Sequence, residues 1–121
     1  MADAAAPYRF FDVHVVRTER LGLGAVRITF GGDRLAAFHS DGRDQRFKLF
    51  LPHPHQDAPV VPTESGDEWF THWRAMDPEV RAVMRSYTVR ELRREPDEVD
   101  VDFALHGDRG PASRWAARAR P

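Results

Sequence analysis

Arg85-Ser86-Tyr87-Thr88-Val89-Arg90 is the stretch that most constrains the fold and the use of this chain. We predict a β-strand here, in which successive side chains point to opposite faces. One face then carries Arg85, Tyr87 and Val89, and the other carries Ser86, Thr88 and Arg90. A single strand thus offers a cation, an aromatic ring and hydroxyl groups. A dinucleotide needs all three: a fork for its diphosphate, a flat surface for its ring system and polar groups at the ring edge.

A second informative stretch follows the next predicted strand and reads Leu105-His106-Gly107-Asp108-Arg109-Gly110-Pro111-Ala112-Ser113-Arg114-Trp115-Ala116. Gly110 lets the backbone approach a ligand closely, and Pro111 suits a first helical turn because its missing N–H would have no partner there. The free N–H groups of Ala112 and Ser113 then point outward, which favours a bound anion. Together the two stretches look like the two halves of a flavin site.

The composition indicates one ordinary globular domain. The chain has 121 residues, of which 41% are hydrophobic and 31% charged, and its net charge of −1 argues against a nucleic-acid partner. The absence of cysteine excludes disulfides and thiolate metal sites, and no apolar stretch is long enough to span a membrane. We therefore expect a cytoplasmic protein without a membrane or nucleic-acid partner. We expect a flexible tail at residues 1–7 and one domain at 8–121.

The hydrophobic pattern favours a mainly β fold. Alternating apolar residues predict strands at 11–16, 26–30, 47–51, 85–93 and 99–105. Short antiparallel strands with long connections and one terminal helix suggest a closed or nearly closed barrel, which would leave no exposed sheet edges. We predict a six-stranded antiparallel Greek-key β-barrel with a C-terminal phosphate-binding helix.

Helices are predicted in the less regular parts of the chain. Residues 53–77 have the composition of a long loop. The pair Asp77-Pro78 resembles a helix start and predicts a brief helix at 78–84, and a final helix is predicted at 110–120. Either a helical turn or a flap within the loop is marked by Trp69, Phe70 and Trp73.

With these residues in view, the sequence resembles the siderophore-interacting protein family, the ferric-siderophore reductases related to the ferredoxin–NADP reductase superfamily. The superfamily pattern Arg-x-Tyr-Ser/Thr is matched by Arg85, Tyr87 and Thr88, and the family's further Val-Arg follows here too. A second signature, Asp-x-x-Leu-His-Gly-x-x-Gly-Pro-Ala-Ser-x-Trp-Ala, is matched from Asp102 to Ala116, and Asp44 to Pro52 is similar to a third, less specific stretch. The resemblance covers nearly the whole chain but only the first half of a full-length member.

The resemblance implies that FAD lies across the barrel. Arg85 would bind the diphosphate, Tyr87 would pack against the isoalloxazine ring, and Thr88 would form a hydrogen bond near the reactive nitrogen of the flavin. The residues expected to bind FAD are Arg85, Ser86, Tyr87, Thr88, His106, Gly107, Gly110, Pro111, Ala112 and Ser113. His106 and Gly107 would line the path of the cofactor. No residue of the chain is assigned a catalytic role.

The resemblance also implies an FAD-dependent oxidoreductase that uses NADPH or NADH as electron donor and reduces siderophore-bound Fe(III) in iron acquisition. Fe(II) is held less strongly by hard oxygen ligands, so reduction releases the metal. We expect a ferric siderophore as substrate, a monomer, and no metal bound by protein ligands. Because the C-terminal nicotinamide-reductase-like domain is not in this sequence, we expect the chain alone to be incomplete for turnover.

Other interpretations of the same residues remain open. The flavin could deliver electrons to another acceptor, such as a ferredoxin. A flavin-free β-barrel module could use Tyr87 and Phe50 to stack on bases, although the near-neutral charge disfavours it. Lys48 is the candidate for binding an anionic ferric siderophore, and a solvated strand lysine is the simpler interpretation. Asp100 and Asp102 share a strand face, but nothing else in the sequence supports an acid–base pair.

Overall fold

The computed structural model describes residues 10–37, 46–105 and 110–121. The strands of this part of the chain are β1 (His14–Arg20), β2 (Ala25–Gly31), β3 (Arg46–Leu51), β4 (Val83–Thr88), β5 (Glu91–Arg93) and β6 (Glu98–Ala104). The α-helices are α1 (Trp69–Ala75) and α2 (Pro111–Arg118), and 3₁₀ helices occupy Asp33–Ala37 and Thr63–Glu68. The longest helix in these ranges, α2, has eight residues, well short of the ~20 that a membrane span requires.

Four strands form an antiparallel sheet in the order β1-β2-β6-β5. The alternation in the sequence determines which faces are buried, because every second residue of β2 and β6 is apolar. Ile28 lies opposite Val101, and the apolar side chains of both strands enter one core. The opposite face of β6 carries Glu98, Asp100 and Asp102. This face is held together by ion pairs with arginines on the other three strands of the sheet.

β3 and β4 form a second, two-stranded antiparallel sheet. Their register is set by strand pairing rather than by a tight turn, since residues 52–82 separate them in the chain. Leu49 and Leu51 are buried in the same core as β2 and β6. The two sheets therefore share one hydrophobic core.

The strand predicted at residues 85–93 is bent, and its two halves belong to different sheets. β4 pairs with β3, whereas β5 pairs with β6. The break falls at Val89 and Arg90: Val89 is buried in the core, and the backbone N–H of Arg90 donates to the carbonyl oxygen of Asp100 at 2.9 Å. The chain thus passes from one sheet to the other within two residues.

The predicted closed barrel is not found within the described residues. The six strands are antiparallel, as expected, but they form two separate sheets. β3 is hydrogen-bonded along the edge that faces β4. Beyond β3, a cavity of about 790 Å³ reaches residues 10–13, which lie just before β1. The coarser prediction of a mainly β fold is confirmed. Within the described residues, no strand pairing joins β3 to residues 10–13.

Two other predictions need correction. The helix predicted at 78–84 is wrong, because Val83 and Met84 pair with β3 and the preceding residues form a turn in which Asp77 accepts hydrogen bonds from Val80 and Arg81. The first strand lies later than predicted, at His14–Arg20, because its charged half pairs with β2 and shows no apolar alternation. The aromatic residues of the long connection do form a helix, α1, whose Trp69 is only 2% exposed.

Candidate functional site

β4 carries the residues predicted to meet the isoalloxazine ring and part of the diphosphate. Its register with β3 places Tyr87 opposite Phe47, and Ser86 opposite Lys48. Because Phe47 packs against the core, the same strand pair fixes Tyr87 on a hydrophobic support.

Tyr87 is half-buried, and its ring centroid lies 4.6 Å from that of Phe103 on β6. Burial raises the pKa of the Tyr87 phenol, and the nearby Arg85 opposes this rise. The phenol is therefore neutral at physiological pH. A neutral ring held from behind by another ring is a suitable platform for a flat ligand.

The other candidates on β4 are accessible. Arg85 is exposed, and its Nη1 donates to the carbonyl oxygen of Met84 at 2.8 Å. That bond uses one of several guanidinium donors, so the side chain retains capacity for an anion. Ser86 and Thr88 are also exposed, and they lie on the opposite strand face from Tyr87.

The start of α2 has the predicted form of an anion site. Gly110 is the extended N-cap residue, and Pro111 opens the helix. The N–H of Arg114 donates to the carbonyl oxygen of Gly110 at 3.0 Å, so the N–H groups of Ala112 and Ser113 precede the intrahelical ladder. Among the described residues, no atom beyond the chain neighbours of Gly110 lies within 4 Å of the point where a Cβ on Gly110 would stand. Within this part of the chain, the backbone has room for close approach by a phosphate group.

β6 connects the two half-sites, which are β4 and the start of α2. Ser113 Oγ donates to the carbonyl oxygen of Ala104 at 2.9 Å, which ties the first turn of α2 to the end of β6. Phe103 lies between the halves, with its ring 4.6 Å from Tyr87 and 5.8 Å from Trp115 of α2. The ring of Phe103 therefore contacts both β4, through Tyr87, and α2, through Trp115. His106 and Gly107 lie outside the described residues.

Phe103 and Trp115 are the residues whose joint role sequence reasoning missed. Both stand inside the second signature, and Phe103 lies within the strand predicted at 99–105. Strand alternation reveals burial, but it does not reveal that one ring contacts both halves of a site.

Lys48 lines the cavity between β3 and residues 10–13, to which Tyr87, Phe103 and Trp115 do not contribute. Its side chain is exposed, and Arg46, two residues earlier, lines the same cavity. Among the described flavin candidates, Ser86 contributes to the lining, whereas Arg85, Tyr87 and Thr88 do not. The remaining lining is mostly apolar and includes Trp69. The cavity is thus an opening beside the core, between β3 and residues 10–13, and the described flavin candidates other than Ser86 do not reach it.

The acidic pair on β6 has a structural explanation. Asp100 is 5% exposed and accepts hydrogen bonds from Thr29 Oγ1 at 2.7 Å and from two guanidinium nitrogens of Arg93 at 2.8 Å each. Arg93 above all holds the pKa of Asp100 below its ordinary value. Asp102 accepts from Arg27 Nε at 2.7 Å. Both carboxylates are ion-pair partners, which leaves no support for an acid–base pair.

Comparison with known proteins shows which proteins this chain is similar to. The family model for the siderophore-interacting FAD-binding domain matches residues 14–121. The chain is 42% identical over 119 residues to the NADPH-dependent ferric-chelate reductase of Escherichia coli K12, covering 93% of this chain and 41% of that protein. It is 31% identical over 105 residues to the ferric vibriobactin reductase ViuB of Vibrio cholerae, covering 87% of this chain and 36% of that protein.

Solved structures give the same result. The crystal structure of a siderophore utilization protein from T. fusca matches with a TM-score of 0.71 and 33% sequence identity, over 90% of this chain and 40% of that chain. In each of these comparisons the chain spans well under half the length of the relative.

Proposed function

Because the chain belongs to the siderophore-interacting FAD-binding domain family, we propose that it holds FAD across β4 and the start of α2. We further propose that the full-length protein uses the bound flavin to reduce Fe(III) held by a siderophore. Two relatives named as ferric reductases support the assignment to the oxidoreductases. Membership of an FAD-binding family disfavours the flavin-free module.

The observation that carries the proposal is the contact of Tyr87 and Trp115 with the same ring, Phe103. A dinucleotide needs its ring and its diphosphate bound at fixed separation, and these contacts set the separation between the two half-sites. The residues present fit the group: β4 offers an exposed guanidinium and a neutral supported ring. Within the described residues, the first turn of α2 offers N–H groups that precede the intrahelical ladder, beside a glycine with room for a ligand.

Each residue has a defined role in this proposal. Arg85 binds one side of the diphosphate by charge-assisted hydrogen bonds, and the N–H groups of Ala112 and Ser113 bind the other. Tyr87 orients the ring system by stacking, and the Thr88 hydroxyl forms a hydrogen bond at its edge. When bound, FAD supplies the one-electron chemistry that converts Fe(III) to the more weakly held Fe(II).

The substrate and the electron donor belong to the full-length protein. We propose an anionic ferric siderophore as substrate, with Lys48 and Arg46 as cations at the cavity rim. The relative named as NADPH-dependent supports NADPH as donor, bound by a C-terminal nicotinamide-reductase-like domain. A monomer in the cytoplasm remains part of this proposal. A six-stranded Greek-key barrel, closed between β3 and the segment before β1, is also part of it, and the shared core of the two sheets supports it.

A titration with FAD tests the proposal. The purified chain is mixed with increasing FAD, and visible absorption and flavin fluorescence are recorded. Shifted flavin bands with saturable binding are expected. A Tyr87→Ala variant should bind more weakly, and an Arg118→Ala variant, altered at the exposed far end of α2, serves as its control. A folded chain that ignores FAD at all concentrations would contradict FAD binding by this domain.

A further inference from the structure

The spacing of the two half-sites depends on β6, which touches both of them. At one end, Ala104 accepts the hydrogen bond from Ser113 of α2. Asp102 lies two residues earlier in β6. Its side chain forms an ion pair with Arg90, close to the other half-site, β4. Arg90 immediately follows Val89 at the bend between β4 and β5. Any movement of this bend moves β4 relative to α2.

Asp102 contacts two arginines, Arg27 on β2 and Arg90 at the bend between β4 and β5. Its Oδ1 accepts from Arg27 Nε at 2.7 Å and its Oδ2 from Arg27 Nη2 at 3.1 Å. Arg90 Nε lies 3.7 Å from the same Oδ2. The paired guanidinium of Arg27 on β2 holds the carboxylate in place, and the carboxylate in turn attracts Arg90.

This ion pair adds to a main-chain contact at the bend. The backbone N–H of Arg90 donates to the main-chain carbonyl oxygen of Asp100, which fixes the position of the chain on β6. The ion pair between the Arg90 side chain and Asp102 is a second contact that holds Arg90 on β6. Two attachments restrict rotation about the bend more than one does, and Tyr87 and Thr88 directly precede it.

We propose that Asp102 is a positioning residue for the flavin site: through Arg90 it fixes the bend after β4 and thereby the spacing between β4 and α2. The inference rests on the proposed function. A ligand that spans two half-sites binds most tightly when their separation is set in advance, because less conformational freedom is then lost on binding. Asp102 itself contacts no part of the cofactor in this proposal.

The test compares Asp102→Asn with a matched control, Asp97→Asn. Both native carboxylates accept from an arginine, and their side chains are 34% and 25% exposed, but Asp97 pairs with Arg94 in the turn between β5 and β6. The Asp102→Asn variant should raise the Kd for FAD about three- to tenfold, whereas the control should stay within about twofold of the native chain. At saturating FAD, the visible circular dichroism of the flavin should change in Asp102→Asn and remain native in the control.

Arg90→Gln supplies a second, exposed position for the same test. If Asp102 acts through Arg90, the double variant that combines Asp102→Asn with Arg90→Gln should bind FAD no more weakly than Arg90→Gln alone. Native Kd and native flavin dichroism in Asp102→Asn would overturn the inference, as would a double variant with fully additive losses. Should Asp102→Asn fail to fold, a native Kd in Arg90→Gln would overturn it. If the unaltered chain itself fails to bind FAD, the proposed function fails instead.

Discussion

Replacing Arg85 by alanine tests the proposed contact between β4 and the FAD diphosphate with little risk to the fold. The side chain is exposed, and its hydrogen bond to the Met84 carbonyl at 2.8 Å lies within one strand. The free energy of unfolding of the apo chain should therefore change by no more than about 0.5 kcal/mol. A charge-assisted hydrogen bond to a phosphate oxygen contributes about 1.5–3 kcal/mol. The Kd for FAD should therefore rise about 12- to 160-fold.

The assay is a fluorescence titration with FAD, accompanied by urea unfolding of each apo variant. Arg85→Lys retains the positive charge but loses the planar fork, so its Kd should lie between the native and alanine values. Arg118→Ala removes an exposed arginine from the last turn of α2 and should bind FAD like the native chain. Equal Kd values for Arg85→Ala and Arg118→Ala would refute the reasoning.

Two further predictions concern other parts of the chain. Asp100→Asn should lower the free energy of unfolding by about 2 kcal/mol at neutral pH, because Arg93 loses its buried charged acceptor. Since pairing holds the pKa of Asp100 below its ordinary value of 3.8, this stabilisation is present above that value and lost as pH falls through the folded-state pKa. Urea unfolding should therefore show a difference between native and variant chains that narrows below pH 3.8, and a pH-independent difference would contradict this account. In a full-length protein carrying this domain, Lys48→Ala should raise KM about three- to tenfold for an anionic ferric siderophore and leave KM for a neutral one unchanged in steady-state assays; equal changes for both would remove the charge role.

The local parts of this fold and site could be predicted from the sequence. Alternating apolar residues predict β2, β3 and β6 to within one residue at each end, because one face of each strand is buried. The Gly-Pro-Ala-Ser run correctly indicated the start of α2. These features depend on neighbouring residues, which a pattern along the chain records directly.

The non-local parts could not be predicted. The run from Arg85 to Arg93 has one pattern, yet its halves pair with β3 and β6, and only the positions of these partners reveal the bend. Val83 and Met84 lie in a segment with a good helix start, but pairing with Leu51 and Phe50 draws them into β4. Tertiary contacts override local preference there.

The pairing of β3 with β4 across residues 52–82 has a consequence for engineering and for divergence within the family. Loop-closure entropy grows only slowly with length, and each doubling costs about 0.6 kcal/mol. Trp69, packed against Phe10 and Phe50, anchors the middle of this connection and divides it into two shorter spans. Insertions on either side of that anchor should therefore leave the register of β4 intact. Through this segment, the surface beside β4 can change its shape and chemistry while the residues proposed to bind FAD keep their positions.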